Sequence, residues 1–352
     1  MPNPTEETGT PGAGAVAPVA PLIQNPAATG TGQAPPDPQT LATVAAGVAA
    51  PPPPPAPQVI YGASIACPKP LSPDFVKRIR KLEELLKAPV FLLCHDCGGR
   101  GADLGYQFVE GLLRVRRELP KQEIVVLVNS PGGDAQAAFQ AASILRLVCG
   151  GYTAVIPCFA KSAATLFCLG ARRLVLGPYA ELGPLDVQHR ESKRKGFQSA
   201  LNEKQIIQRL HAASMECFDS LMSMIIGRLD LHSAEVETFI APLLAHVADE
   251  FRPMFEKIDV IHWTSISRLL KIGEDYAIQL LQPMYKPKDA TQIAHALVEA
   301  YPDHGFVINF IEAARIGLKV DLPGGELASV MDDLFDLVSE IEATGFITEK
   351  PK

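Results

Sequence analysis

Three nearly unbroken apolar runs constrain this chain more than any other feature: "PVFLLCHD" over 89–96, "EIVVLVNS" over 123–130 and "YTAVIPCFA" over 152–160. Their apolar residues do not alternate with polar ones, so each reads as a strand buried on both faces. Between them, residues 103–118 carry Leu104, Phe108, Leu112, Leu113 and Val115 at helical spacing. Residues 135–148, "AQAAFQAASILRLV", read as a second helix, with Asp134 placed to favour its N-terminus. "SAATLFCLGA" reads as a short apolar helix closed by Gly170, and "RRLVLGP", 172–178, as a fourth strand. Strands alternating with helices imply a parallel α/β sheet. After about residue 200 the pattern changes. Residues 201–228, 233–248, 264–283, 289–300 and 309–317 read as helices, several stopped by Gly or Pro.

The division that follows has three parts: a Pro/Ala-rich tail over 1–57, an α/β core over 58–200, and a helix-rich part of the same domain over 201–352. The tail holds Glu6, Glu7 and Asp37 but no Lys or Arg, and it ends in "PPPPPAP". It lacks the large apolar side chains that offset the entropy of ordering a backbone, so the expectation is disorder. No basic stretch precedes a compact apolar one, and no signal peptide is expected. No segment offers about 18 uncharged apolar residues in a row, so no transmembrane segment is expected. A net charge of −7 argues against a nucleic-acid partner, because neutralising phosphates takes a basic face. The seven cysteines are scattered, and Cys94 and Cys97 of "CHDC" have no second pair to complete a metal site. The reading is therefore no metal, no cofactor and a reducing, cytoplasmic location.

Two turns follow consecutive buried strands, "NSPGGD" at 129–134 and "FAKSAAT" at 159–165. In a parallel sheet such turns lie along one edge, where ligands bind. Gly132 and Gly133 let the backbone approach a ligand and aim N–H groups at it. Ser162 stands where a helix begins, and the free N–H groups there stabilise negative charge. A hydroxyl beside such donors is what acyl transfer needs: a nucleophile for a carbonyl carbon and a hole for the oxyanion that forms. Serine is also a favoured N-cap, so Ser162 has a purely structural alternative.

"NSPGGD", "AKSAATLFCLGARRLVLG" and "ELGPLDVQ" resemble the motifs of the serine dehydrogenase proteinase family, which is related to the Clp protease subunit and to signal peptide peptidase A. "YPDHGFVINFIEAARIGLKV", 301–320, resembles the family's C-terminal end. Leu185 and Val187 depart from an expected isoleucine and proline and leave Asp186 and Gln188 in place. The resemblance implies a Clp protease/crotonase-like ββα spiral with a helix-rich C-terminal part. It also implies serine peptidase activity on a protein or peptide substrate, and a homo-oligomer, a trimer or larger. By carry-over Ser162 is the nucleophile, and Gly133 with Gly132, together with Ala163, donates to the oxyanion.

The base stays open between two patterns. Clp-type subunits place a histidine about 25 residues after the serine; here that stretch reads "GPLDVQH", and His189 comes slightly late. The signal peptide peptidase branch uses a lysine some 40–50 residues on, and Lys204 falls there, with Lys193 and Lys195 closer in the "ESKRKG" loop. A lysine base must lose about three pKa units, roughly 4 kcal/mol, which only burial achieves. Lys161 adjoins the serine but is expected to project away from it, and Asp186 is a support that orients a base or holds its loop. Two other functions remain beside the peptidase: a non-catalytic Clp-like scaffold without a competent base, and a crotonase-like acyl-CoA enzyme.

Overall fold

A computed structural model of the protein describes residues 59–61, 70–95, 104–186, 188–190, 197–229 and 233–348. The expected tail, 1–57, lies outside the described residues. Strands are β1 (Val59–Tyr61), β2 (Val90–Cys94), β3 (Ile124–Asn129), β4 (Tyr152–Ile156), β5 (Phe159–Ala160), β6 (Arg173–Leu176), β7 (Glu181–Leu182), β8 (Gln188–Arg190), β9 (Phe197–Ser199), β10 (Val320–Asp321) and β11 (Ala343–Thr348). Helices are α1 (Pro73–Leu86), α2 (Tyr106–Val115), α3 (Ala135–Cys149), α4 (Ala163–Leu169), α5 (Ala200–Leu229), α6 (Ser233–Phe255), α7 (Val260–Leu281), α8 (Pro287–Glu299), α9 (Phe310–Arg315) and α10 (Gly325–Val338).

The architecture is mixed α/β around a mostly parallel sheet of order β1-β11-β2-β3-β4-β6-β10. β2, β3, β4, β6 and β10 run parallel, and β11 closes one side antiparallel to β2. The unbroken apolar runs have the expected cause. Phe91 and Leu93, with Ile124, Val126 and Val128, face a core built with α2, α3, α4, α7 and α8. Val90, Leu92 and Cys94, with Val125 and Leu127, face a second core built with α1 and α10. Successive side chains point to opposite faces, so a strand covered on both sides must be apolar at every position.

One expected strand is divided. The run 152–160 breaks at Pro157, which has no N–H for a ladder. β4 stays in the main sheet, whereas β5 leaves it to pair with β7. This departure carries the following turn away from the main sheet. The helix-rich half also returns to the sheet through β10 and β11, and α10 packs on the same core as α1.

Candidate active site

The two turns singled out in the sequence meet. Beyond β3, Ser130 bridges to Ala160: its N–H donates to Phe159 O at 3.2 Å, and its carbonyl accepts from Lys161 N–H at 3.0 Å. The PGG segment therefore lies beside the serine turn. At Gly132, φ is +111°, and a Cβ would fall 2.7 Å from Lys161 O, 3.0 Å from Ala163 N and 3.1 Å from Ser162 Cβ. At Gly133, φ is +148°, and a Cβ would fall 2.8 Å from both Leu104 N and O. Both positions thus require glycine for backbone angle and for space. Asp134 caps α3, accepting from Ala137 N–H at 2.7 Å, as its position in the sequence implied.

Ser162 holds φ 52° and ψ −121°, and its side chain makes no capping hydrogen bond to α4. A positive φ in a non-glycine residue is uncommon and costs on the order of 1–3 kcal/mol. The angles are near the second residue of a type II′ turn, and Ala164 N–H closes that turn onto Lys161 O at 2.8 Å. Ser162 is half-buried, and its side chain is not committed to the helix.

Three expected oxyanion donors divide in the structure. Gly132 donates its N–H to Ser130 Oγ at 3.1 Å, so this glycine provides close approach rather than a free donor. The parallel bridge between Leu104 and Gly133 uses Gly132 O and Asp134 N–H, which turns the Gly133 N–H away from Leu104. Among the described residues, none accepts from the N–H of Gly133 or of Ala163. Ser130 Oγ also lies 2.8 Å from Nδ1 of buried His95, and the backbone N–H of His95 donates to Asn129 O at 2.8 Å. Burial lowers His95 to a pKa of about 4, with Glu342 opposing the shift. The ring thus sits, with its protonation disfavoured by burial, beside Ser130 at the start of the PGG loop.

The segment after β7 closes over the serine turn. Gly183 N–H reaches Ala160 O at 3.2 Å and Thr165 Oγ1 at 3.0 Å, while the Thr165 hydroxyl donates to Ala160 O at 2.7 Å. A Cβ on Gly183 would come within 3.3 Å of Ser162 N. Leu182 exchanges two backbone hydrogen bonds with Ile308, and Leu185 N–H donates to Leu297 O at 2.8 Å at the end of α8. Lys161 pairs with Glu181 at 2.9 Å, and its Nζ also donates to Leu182 O at 3.4 Å.

Of the candidate bases, Lys204 on α5 donates from Nζ to Glu299, and its carbonyl accepts from the Trp263 indole at 3.1 Å. His189 lies on β8 opposite Gln198, and its side chain, like Lys193 and Lys195, is outside the described residues. Asp186 is buried and paired through Oδ1 with Nδ1 of His304. Spacing along the chain does not connect His304, within "YPDHGFVI" at 301–308, to Asp186, because that pairing is set by packing between distant segments. The Thr165–Gly183 and His95–Ser130 contacts are hidden from the sequence for the same reason. Among the described residues, no group of three or more His, Cys, Asp or Glu could hold a metal ion.

No protein-family model matches the chain. It is similar to "Uncharacterized protein MJ0137" of Methanocaldococcus jannaschii, 24% identical over 255 residues that cover 70% of this chain and 73% of that protein. Among solved structures it is weakly similar to a point mutant of ClpP1 from Listeria monocytogenes, with 14% identity and a TM-score of 0.22. That match covers 29% of this chain and spans 59% of the other.

Proposed function

We propose that the protein is a serine peptidase that hydrolyses peptide bonds through an acyl-enzyme on Ser162. The observation that carries the reading is the state of Ser162: a strained backbone, no capping bond, and a PGG loop within van der Waals reach. A cap would have left a hydrogen bond to α4 and would not have required a left-handed backbone. In this reading Ser162 Oγ attacks the substrate carbonyl carbon. The carbonyl oxygen takes up negative charge between the N–H groups of Gly133 and Ala163. The amine leaves with a proton, and water then attacks the acyl carbon by the same route to release the acid. Lys204 can serve as the base only after Glu299 releases it.

The resemblance in the sequence motifs supports membership of the serine dehydrogenase proteinase group and a crotonase-like spiral. The departure of β5 and β7 from the main sheet is consistent with that spiral. A homo-oligomer acting on proteins or peptides in the cytoplasm belongs to the same reading.

The test pairs fluorophosphonate labelling with turnover of a peptide substrate, in wild type and Ser162→Ala. Wild type is expected to label and cleave, and Ser162→Ala to do neither while its melting temperature changes little. A folded, assembled wild type that neither labels nor cleaves would overturn the reading.

A further inference from the structure

We infer that Asp186 and His304 form the proton relay of Ser162, with His304 as general base. This rests on the nucleophile reading and deepens it. Asp186 is 3% exposed, and a carboxylate so deeply placed needs a hydrogen-bonding partner to carry charge. His304 is such a partner, through Nδ1. His304 itself is 22% exposed along its side chain, so the ring reaches from the buried carboxylate toward solvent. A histidine oriented by a buried carboxylate at one nitrogen presents the other to a proton.

The fold attaches both members to the serine turn. Asp186 lies three residues after Gly183, and three residues span at most about 10 Å. Gly183 in turn is hydrogen-bonded to Ala160 and Thr165, on either side of Ser162. His304 lies four residues before Ile308, which is joined by two backbone bonds to Leu182, the neighbour of Gly183. Leu185 is held by Leu297, which fixes the approach of the Asp186 loop to the end of α8. The relay is therefore built from two limbs, each pinned at one end to the strand pair beside the nucleophile.

The step balances without a co-reactant. As the bond from Ser162 Oγ to the carbonyl carbon forms, the hydroxyl proton passes to the Nε2 lone pair of His304. Asp186 accepts the Nδ1–H hydrogen bond and stabilises the imidazolium. When the carbon–nitrogen bond breaks, the Nε2 proton goes to the departing amine. A water molecule then gives its proton to Nε2 as it attacks the acyl carbon, and Ser162 recovers that proton on release.

The experiment measures the rate of fluorophosphonate labelling on the full chain, with the labelled residue assigned by mass spectrometry. His304→Gln keeps a side-chain donor for Asp186 and removes the base. It is expected to fold like wild type and to label Ser162 about 100-fold more slowly or worse. Asp186→Asn is expected to slow labelling at least about 10-fold, through loss of ring orientation. His304→Ala is expected to lose the rate and to regain part of it with added imidazole, which a merely structural histidine would not allow. His295→Gln, at an exposed histidine paired with Glu274, is expected to label like wild type. Labelling of Ser162 in His304→Gln within a few-fold of wild type would overturn the relay and leave the nucleophile standing. A folded wild type that labels no serine would instead remove the nucleophile reading, and the relay with it.

Discussion

Ser162 occupies a turn position at which glycine is the favoured residue, and two substitutions separate the cost of that from its use. Ser162→Gly relieves the positive-φ strain, offset in part by the greater freedom of glycine in the unfolded chain. The expected outcome is a variant about 1 kcal/mol more stable than wild type with no hydrolysis, read from urea midpoints and peptide turnover. Ser162→Ala keeps the strain and gains nothing. A Ser162→Gly variant clearly less stable than wild type would mean that the hydroxyl stabilises the fold. A second residue-scale consequence comes from His95. Its folded pKa is about 4, below the ordinary value of 6.5, because burial disfavours the charged ring. Between those two values the unfolded chain binds a proton that the folded chain refuses. Stability is therefore full above pH 6.5 and falls as the pH drops toward 4, by about 3 kcal/mol over the window. His95→Gln should flatten most of that loss when urea midpoints at about pH 7 and about pH 4.5 are compared. An unchanged pH dependence in the variant would assign it to other groups.

At the scale of elements, α4 and the segment after β7 are tied by one hydroxyl. Thr165, fully buried, donates to Ala160 O and accepts from Gly183 N–H. Thr165→Val keeps the shape and removes both roles, leaving a buried carbonyl and N–H less well paired, at a cost of about 2 kcal/mol. Peptide turnover should fall as well, since the loop leading to Asp186 loosens. A Thr165→Val variant with wild-type stability would show that the tie is redundant. This connection marks where the sequence stops being readable. β3, the PGG loop, Asp134 and the Ser162 turn were legible because each is a local pattern: an apolar run, paired glycines, a cap, a hydroxyl at a helix start. The break at Pro157 was equally local, and the apolar run on either side concealed it. α1 carries its signals in Ser72, which caps the helix, and Pro73 at its first turn, but it precedes the alternation of apolar runs and helices. The pairs Asp186–His304, Thr165–Gly183 and His95–Ser130 were not legible. None of them is fixed by spacing along the chain; each is fixed by which strand ends and helix ends the sheet order brings side by side.

At the scale of the whole molecule, α5 and α6 are the anomaly. Among their described side chains beyond Leu201, Val247 is the one apolar group that is buried, apart from Ala200 at the start of α5. Ile206, Met215, Met224 and Ile226 on α5 are exposed, as are Ile240, Leu244, Met254 and Phe255 on α6, and α7 begins with Val260 and Ile261 at 65% and 82% exposure. α5, with 30 residues, extends about 45 Å, and it and α6 carry these exposed apolar side chains along their length. Among the described residues no helix is long and apolar enough to cross a membrane, so a spanning helix does not account for that surface. A second copy of the chain would cover it, because the same exposed residues are available on every copy and a symmetric contact needs no other partner. A specific contact of this kind buries at least about 1,000 Å2 in total. The expected outcome is a trimer or larger species in sedimentation velocity at micromolar concentration. Ile240→Glu combined with Leu244→Glu should shift that species to monomer, because the charges would be desolvated in the contact. Far-ultraviolet circular dichroism should remain that of wild type, since both side chains are exposed in the single chain. A wild-type chain that sediments as a monomer across that range would leave the α5–α6 surface without a second copy to cover it and would end the oligomer reading.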